Sequence, residues 1–302
     1  MNKTKQNITT LVSAAAFAAG GSTQATTTLV TFSTPGGDIN IPTNWDGGAL
    51  PGSGETGTVA IDAAWPDASG AGTLAIAGDL VIGSTTAANI NLTAATDIVG
   101  SNPSSVTFNN VTVTVADDIF TGGAGGNFIF NSGSITSVND DFEANGGSST
   151  NNSFITVNGG VHSVGDQFGA QRGSVLNFLG GTVTSTGFRT TAGNLATPVG
   201  GTINIGGSAV LDADTTSFVT SGVVNFDSNW SGQLDVADLG DLTAWFEELN
   251  TGTLTFDGAT LDEATFNANF EVDNGALRLV PEPSSALLLA LSGLFFARRS
   301  RK

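Results

Sequence analysis

The stretch VTFNNVTVTVADDIF (Val106 to Phe120) decides the fold class, because two similar stretches follow it. They are FIFNSGSITSVNDDF (Phe128 to Phe142) and FITVNGGVHSVGDQF (Phe154 to Phe168). Each begins with an apolar residue, continues with Asn or Gly, and returns to a β-branched residue seven positions after its start. Asp then stands at position +12 and Phe at position +14. This repetition of residue kinds, and not only of polarity, indicates stacked copies of one structural unit.

Looser copies of the unit extend in both directions along the chain. They begin at Leu74, Ile90, Leu176, Ile203, Val224 and Leu254, so that successive starts are 16, 16, 22, 26, 22, 27, 21 and 30 residues apart. Such periods, with two short strands and a Gly/Asn turn per unit, predict a solenoid. The sequence therefore predicts an all-β protein: a right-handed parallel β-helix with a short C-terminal helical cap and a terminal hydrophobic helix. A β-sandwich whose hairpins resemble one another is the alternative.

Stacked parallel rungs bring equivalent residues to about 4.8 Å from one another. We therefore expect internal columns of matching side chains. One column contains Phe120, Phe142 and Phe168, and a second contains Val113, Ile135, Val161 and Val183. The single histidine, His162, is then expected on the outward side of its strand.

The composition excludes several classes of function. Only 12% of the 302 residues are charged, and the chain contains no cysteine. Between Thr26 and Val280 there are 26 acidic residues and three arginines, which gives 3 − 26 = −23. A chain with this much negative charge repels the phosphate backbone of DNA and RNA, which excludes nucleic acid as a partner. The absence of cysteine excludes thiol chemistry and His–Cys metal sites.

The N-terminus has the pattern of a secretory signal. Lys3 and Lys5 form a positive segment, residues 11–19 are apolar, and small residues at Thr23 and Ala25 precede the mature chain. This pattern predicts export through the Sec translocon and cleavage after Ala25.

The C-terminus contains three segments in a fixed order. Pro281, Glu282 and Pro283 come first, the apolar residues 286–297 follow, and a basic cluster that includes Arg298, Arg299 and Arg301 ends the chain. This order resembles the PEP-CTERM sorting signal of Gram-negative bacteria. The resemblance implies that a membrane-embedded exosortase recognises the chain and releases or transfers it outside. Because the apolar segment is shorter than the roughly 20 residues of a spanning helix, we expect only transient anchoring in the inner membrane. The final location is then the cell surface or the extracellular space.

Two further segments predict the ends of the solenoid. Residues 44–62 resemble the start of autotransporter-like β-helical passenger domains, which implies architecture and not activity. Residues 238–249 place apolar side chains on one face of a helix, with Asp238 at its N-cap. We predict five regions: a signal peptide (1–25), an N-terminal segment (26–73), β-helix repeats (74–234), a C-terminal cap (235–279) and the sorting signal with a short transmembrane segment (280–302).

Two groups of residues are candidate calcium ligands. In the repeat alignment Asp118, Asp140 and Asp166 are equivalent, and stacked carboxylates repel one another unless a cation or protons intervene. They could instead point outward into water. The second group follows the spacing of an EF-hand loop, although an ordinary turn explains it as well. Its members are Asp227, Asn229, Ser231, Asp235 and Asp238. The fold requires no cofactor, so calcium is a speculative ligand.

The favoured function is non-enzymatic, and no residue is assigned a catalytic role. We expect an exosortase-processed structural protein of the surface or extracellular matrix, associated with exopolysaccharide in biofilm. The alternative is a β-helical carbohydrate-active enzyme, a polysaccharide lyase or hydrolase. It would need a cluster of carboxylates with a cation and a base near Asp166, with Arg172 or Arg189 as candidates. Carboxylates and an arginine converging in a groove would favour the enzyme, and a shallow polar surface would favour the structural protein.

Overall fold

The structure is a computed structural model that describes residues 28–65, 77–86, 89–100, 105–121, 126–145, 153–190, 199–237 and 239–280. Its elements are short strands, two α-helices and one 3-10 turn. The first part contains β1 (Thr28–Thr31), β2 (Gly37–Asp38), the 3-10 turn (Pro42–Asn44), β3 (Glu55–Val59), β4 (Ala63–Ala64), β5 (Asp79–Gly83), β6 (Ile90–Ala94) and β7 (Ile98–Gly100). The middle contains β8 (Ser105–Asn109), β9 (Val111–Val115), β10 (Ile119–Thr121), β11 (Asn127–Phe130), β12 (Ile135–Val138), β13 (Phe142–Asn145), β14 (Phe154–Val164), β15 (Gln167–Gln171) and β16 (Val175–Arg189). The last part contains β17 (Thr202–Ile205), β18 (Val210–Ser217), β19 (Val223–Phe226), β20 (Gln233–Val236), α1 (Leu242–Leu249), β21 (Thr253–Phe256), β22 (Ala259–Thr260), α2 (Glu263–Asn269), β23 (Phe270–Asp273) and β24 (Ala276–Leu279).

The strands form three parallel stacks, which we call the first, second and third faces. The first face runs β1, β3, β5, β8, β11, the start of β14, the start of β16, β17, β19 and β21. The second runs β2, β4, β6, β9, β12, the end of β14, the middle of β16, the start of β18 and β20. The third runs β7, β10, β13, β15, the end of β16 and the end of β18. Parallel pairing between successive rungs confirms the predicted β-solenoid and rules out the sandwich, whose strands would pair as antiparallel hairpins.

The core is built from columns of equivalent side chains, as the repeat predicts. On the first face one buried column runs through Leu80, Val106, Phe128, Ile155, Leu176, Ile203, Val224 and Leu254. Six of these positions are repeat starts in the sequence alignment. The other two are not repeat starts. Ile155, and not the predicted start Phe154, lies in the column. Leu80 pairs with Val106, while the predicted start Leu74 lies outside the described residues. Ile90 belongs to the second face, where it pairs with Val111.

The two predicted internal columns are wrong by one residue in part of their length. Ile119, and not Phe120, pairs with Phe142 on the third face. On the second face Thr136 pairs with Val113 and with His162, so Ile135 and Val161 point outward. The side chains of these two are 47% and 57% exposed, respectively.

A single inserted residue explains the shift between the rungs that begin at Val106 and Phe128. Six positions separate Phe130 from Thr136, whereas five separate Phe108 from Val113 and five separate Val157 from His162. The extra residue lies in the turn 131–134. Because side chains alternate along a strand, an offset of one residue exchanges the inward and outward sets.

The third rung starts at Ile155 and not at Phe154, so His162 lies inside the solenoid and not on its surface as predicted. Its side chain is fully buried, and its ring centroid lies 5.7 Å from that of Phe130 and 5.9 Å from that of Phe142. Nε2 lies 3.0 Å from the carbonyl oxygen of Gly159, while Nδ1 has no hydrogen-bond partner in the described structure. Burial lowers the pKa of His162, which favours the neutral form of the ring.

The N-terminal end of the core is closed by the segment that resembles autotransporter-like sequences. Residues 44–46 fold back against residues 31–33, with an antiparallel bridge between Phe32 and Trp45. The Trp45 ring is 2% exposed, and its Nε1 donates to the carbonyl oxygen of Ile39 at 2.8 Å. The solenoid therefore begins at β1, well before the predicted boundary at residue 74.

The C-terminal end is closed by helices and a hairpin. Helix α1 begins later than predicted, because Asp241 and not Asp238 is its N-cap: the Asp241 carboxylate accepts from the N–H of Ala244 at 2.9 Å. Asp238 lies outside the described residues. A second helix, α2, was not predicted, although Asp262 caps it in the same way by accepting from Thr265. The antiparallel strands β23 and β24 complete the cap.

The column on the third face provides a matched test of the register. Replacing Phe142, which is fully buried, by Ala should lower the free energy of unfolding by about 3–5 kcal/mol because it opens a core cavity. Phe120→Ala should cost only about 1 kcal/mol, because that ring is partly exposed outside the column. Urea unfolding of both variants measures the difference, and equal losses would contradict this register.

Candidate functional site

The bend between the second and third faces gathers six aspartates, which we call the acidic corner. They form two groups, Asp97 with Asp117 and Asp118, and Asp140 with Asp141 and Asp166. Within each group one carboxylate oxygen from each residue lies within 4.8 Å of the others. The predicted ladder of Asp118, Asp140 and Asp166 is thus divided between two groups, because the register differs by one residue at the first rung.

Backbone geometry explains why aspartate occupies these positions. The carboxylate of each rung accepts a hydrogen bond from the N–H of the equivalent residue in the next rung. The N–H of Asp118 donates to Asp97 at 3.3 Å, that of Asp141 donates to Asp118 at 2.9 Å, and that of Gln167 donates to Asp141 at 3.0 Å. At this bend the carboxylates therefore accept the backbone N–H hydrogen bonds that carbonyl oxygens accept where the strands pair.

A buried ion-pair network adjoins the corner on the third face. Arg189 donates from Nη2 to the Asp141 carboxylate at 2.7 Å and from Nε to the Glu143 carboxylate. Gln171 donates to the other oxygen of Glu143, which is only 2% exposed. Arg189 reaches Glu143 across Gly169, where a Cβ would lie 3.2 Å from Cγ of Arg189. A glycine at position 169 is therefore part of the site.

Burial changes the ionisation of this region. It raises the pKa of the Asp118 carboxyl to about 6, although the N–H of Asp141 opposes the shift. Burial also raises the pKa of Glu143 to about 7, against the hydrogen bond and charge of Arg189. The pKa values of Asp140 and Asp141 are raised for the same reason. A cation bound at the corner would stabilise the charged carboxylates, as calcium does with clustered oxygen ligands.

The structure also brings together the residues of the enzyme hypothesis, but in a different arrangement. Arg189 is bound by two carboxylates, and its side chain is 15% exposed. Arg172 lies in a turn with a left-handed φ of 55°, and its Nε is buried without a partner in the described structure. Carboxylates and an arginine do converge here, but they pair with one another, and the glutamate among them is inaccessible.

The second calcium candidate lies in the turn between β19 and β20. Asn229 accepts from the N–H of Gly207 at 3.1 Å, and the Ser231 hydroxyl donates to the carbonyl oxygen of Gly207 at 3.1 Å. Asp227 accepts from the side chain of Asn225 at 3.1 Å. Asp235 lies further along, on β20, as the strand partner of Asp212. Asn229, Ser231 and Asp235 therefore bond to residues of the preceding rung. This arrangement favours an ordinary turn over an EF-hand calcium loop. Calcium binding at either location stays a prediction.

Some predicted functional residues lie outside the described part of the chain. They are Ala25, Asp238, Pro281, Glu282, Pro283, Arg298, Arg299 and Arg301. The predicted terminal hydrophobic helix lies there as well. Within the described ranges, no helix has the length and apolar character needed to cross a membrane.

Glu143 provides a test of the electrostatics through the pH dependence of stability. A raised carboxyl pKa means that the folded state holds more protons than the unfolded state between about pH 4.5 and 7. Its contribution to stability is thus present at low pH and is lost as the pH rises through that window. The lowered pKa of His162 acts in the opposite direction below about pH 6.5.

We therefore expect Glu143→Gln to remove the carboxyl contribution. Wild-type protein should gain more stability than the variant when the pH falls from 7.5 to 5, as measured by urea unfolding at each pH. Glu271→Gln, an exposed position on β23, is the matched control and should follow the wild type. An unchanged pH dependence in Glu143→Gln would show that this carboxyl titrates normally.

Comparison with known proteins concerns the C-terminus. The profile of the PEP-CTERM protein-sorting motif matches residues 279–302. No curated protein and no solved structure matches the chain, so the autotransporter-like resemblance of the body stays a prediction. The matched motif agrees with the three-part C-terminal pattern, and it indicates an exported protein that is sorted by an exosortase.

Proposed function

We propose that this chain is a non-enzymatic structural protein of the cell surface or extracellular matrix, associated with exopolysaccharide. The observation that carries the proposal is the position of the sorting motif. The last strand of the cap, β24, ends at Leu279, and the motif begins at the same residue. The solenoid is thus followed directly by a signal for transfer to the outside.

The construction of the solenoid supports a passive, rigid role. Both ends of its core are closed, by Trp45 at one end and by the C-terminal cap at the other. Two stacks of parallel strands run between these ends, and a third joins them from β7 to β18, so each rung is hydrogen-bonded to its neighbours on at least two faces. A module of this kind is suited to hold attached groups at a fixed distance from a membrane.

The acidic corner and the Arg189 network support the same role. An enzyme active site presents unpaired reactive groups to a substrate. Here Arg189 is paired with Asp141 and Glu143, and Glu143 is buried. We therefore assign these residues to the stability of the third face, and the polysaccharide lyase or hydrolase is the less favoured function.

Export by the Sec translocon and processing by an exosortase complete the proposal. The N-terminal signal would be removed after Ala25. The C-terminal apolar segment would hold the chain briefly in the inner membrane, with the arginines on the cytoplasmic side. Exosortase would then act at Pro281, Glu282 and Pro283.

The experiment follows processing in a bacterium that expresses an exosortase. Wild-type chain carrying an epitope after Lys302 should lose the epitope and leave the inner-membrane fraction, as judged by immunoblotting. Glu282→Ala should accumulate uncleaved in that fraction. Glu271→Ala, an exposed glutamate of the body, is the matched control and should be processed normally. Normal processing of Glu282→Ala, or processing in a strain without exosortase, would contradict the proposal.

A further inference from the structure

From the rung of β8 to that of β14, the bend between the first and second faces differs from the acidic corner in lacking charged residues. A groove of about 580 Å³ lies over this bend. Its lining consists of uncharged polar residues and one glycine, namely Thr85, Asn110, Asn131, Ser132, Gly133 and Asn158. We call it the asparagine groove. It is an unusual surface for a body whose acidic residues outnumber its basic residues by 23.

Stacked amides form the floor of the groove. Asn131 donates from Nδ2 to Oδ1 of Asn109 at 2.7 Å, and Asn158 donates from Nδ2 to Oδ1 of Asn131 at 3.0 Å. Each of these bonds uses one of the two N–H groups of an amide. Among the residues that the structure describes, Asn131 and Asn158 therefore each retain an N–H without a partner, and Asn158 also retains its side-chain oxygen. The register of the solenoid fixes these groups in a row, about 4.8 Å apart.

Two exposed aliphatic side chains begin the strand segments that follow these turns. Ile135 and Val161 follow the same turns and are strand partners on the second face. They are 47% and 57% exposed, which is unusual for residues of this size. The outward positions next to them on these rungs, Ser137 and Ser163, are hydroxyl residues. The surface thus combines hydrogen-bonding amides with an apolar strip, and it carries no charged residue between the turns and Ser137 or Ser163.

From this combination we infer that the asparagine groove binds a neutral polysaccharide. Sugar hydroxyls both donate and accept hydrogen bonds, as the side-chain amide does. The C–H faces of sugar rings are apolar and match Ile135 and Val161. An anionic polysaccharide would be repelled by the acidic body and would find no cation in the lining. The groove is open and crosses four rungs, or about 14 Å, so it suits a stretch of a polymer rather than a single enclosed sugar.

This inference deepens the proposed function, because it names the chemical class of the exopolysaccharide and the surface that contacts it. It does not depend on the sorting motif. Loss of processing in the exosortase experiment and loss of glycan binding are separate readouts, so either proposal can fail alone.

The test is affinity electrophoresis of the purified full chain in gels that contain one polysaccharide each. The neutral probes are a β-1,3-glucan, dextran and a galactomannan, and the anionic probe is alginate. At least one neutral probe should retard the wild type, and alginate should not. The variant Asn131→Ala/Asn158→Ala should bind about tenfold more weakly, because two amide contacts are removed.

A second pair of hydrogen-bonded asparagines, outside the groove, provides the matched control. Asn204 donates to Asn177 at 2.8 Å on the first face, outside the groove. Asn177→Ala/Asn204→Ala removes an equivalent pair and should bind as the wild type does. A further variant, Val161→Glu, changes no amide and should also weaken binding, because it adds a negative charge beside the groove. Circular dichroism confirms that each variant is folded.

Three results would overturn the inference. In the first, none of the neutral probes retards the wild type. In the second, the groove variant and its matched control bind equally. In the third, alginate retards the protein more than any neutral probe does, which would indicate recognition of an anionic chain.

Discussion

The register between successive rungs is the constraint on which the rest of this structure depends. Every inward side chain packs against the equivalent position of the neighbouring rungs, as in the column from Leu80 to Leu254. An offset of one residue would bury the outward set of a strand and expose its apolar set. The same register aligns carboxylates with N–H groups at one bend and stacks amides at the other. The acidic corner and the asparagine groove are therefore two products of one pattern.

Much of the fold could be predicted from the sequence, because a solenoid repeats its inward residue kinds along the chain. Val106, Phe128, Leu176 and Ile203 are repeat starts in the alignment and neighbours in the core. The C-terminal sorting signal could also be predicted, since its order of turn, apolar segment and basic cluster is local in sequence. The motif match at residues 279–302 agrees with it.

The remaining errors have a physical cause. A turn can take an extra residue without disturbing the strands it joins. The residue types alone do not reveal which turn contains the extra residue. The extra residue at 131–134 moved Thr136 inside and Ile135 outside. His162 is inside and Val161 outside for a second reason: their rung starts at Ile155, one residue later than the alignment places it. The Arg189–Glu143 pair was missed for another reason: the two residues are 46 positions apart. Only the stacking of three successive rungs, the middle one with a glycine at position 169, brings them together.

Cysteine cross-linking tests the register most directly, because the natural chain contains no cysteine. Thr114 and Ser137 are strand partners that point outward, so a Thr114→Cys/Ser137→Cys variant should form a disulfide under mild oxidation. Thr114→Cys/Thr136→Cys, the pair predicted by the unshifted alignment, should retain two free thiols because Thr136 points into the core. Thiol titration and the masses of linked peptides distinguish the two. A disulfide in the second variant and none in the first would contradict the structure described above.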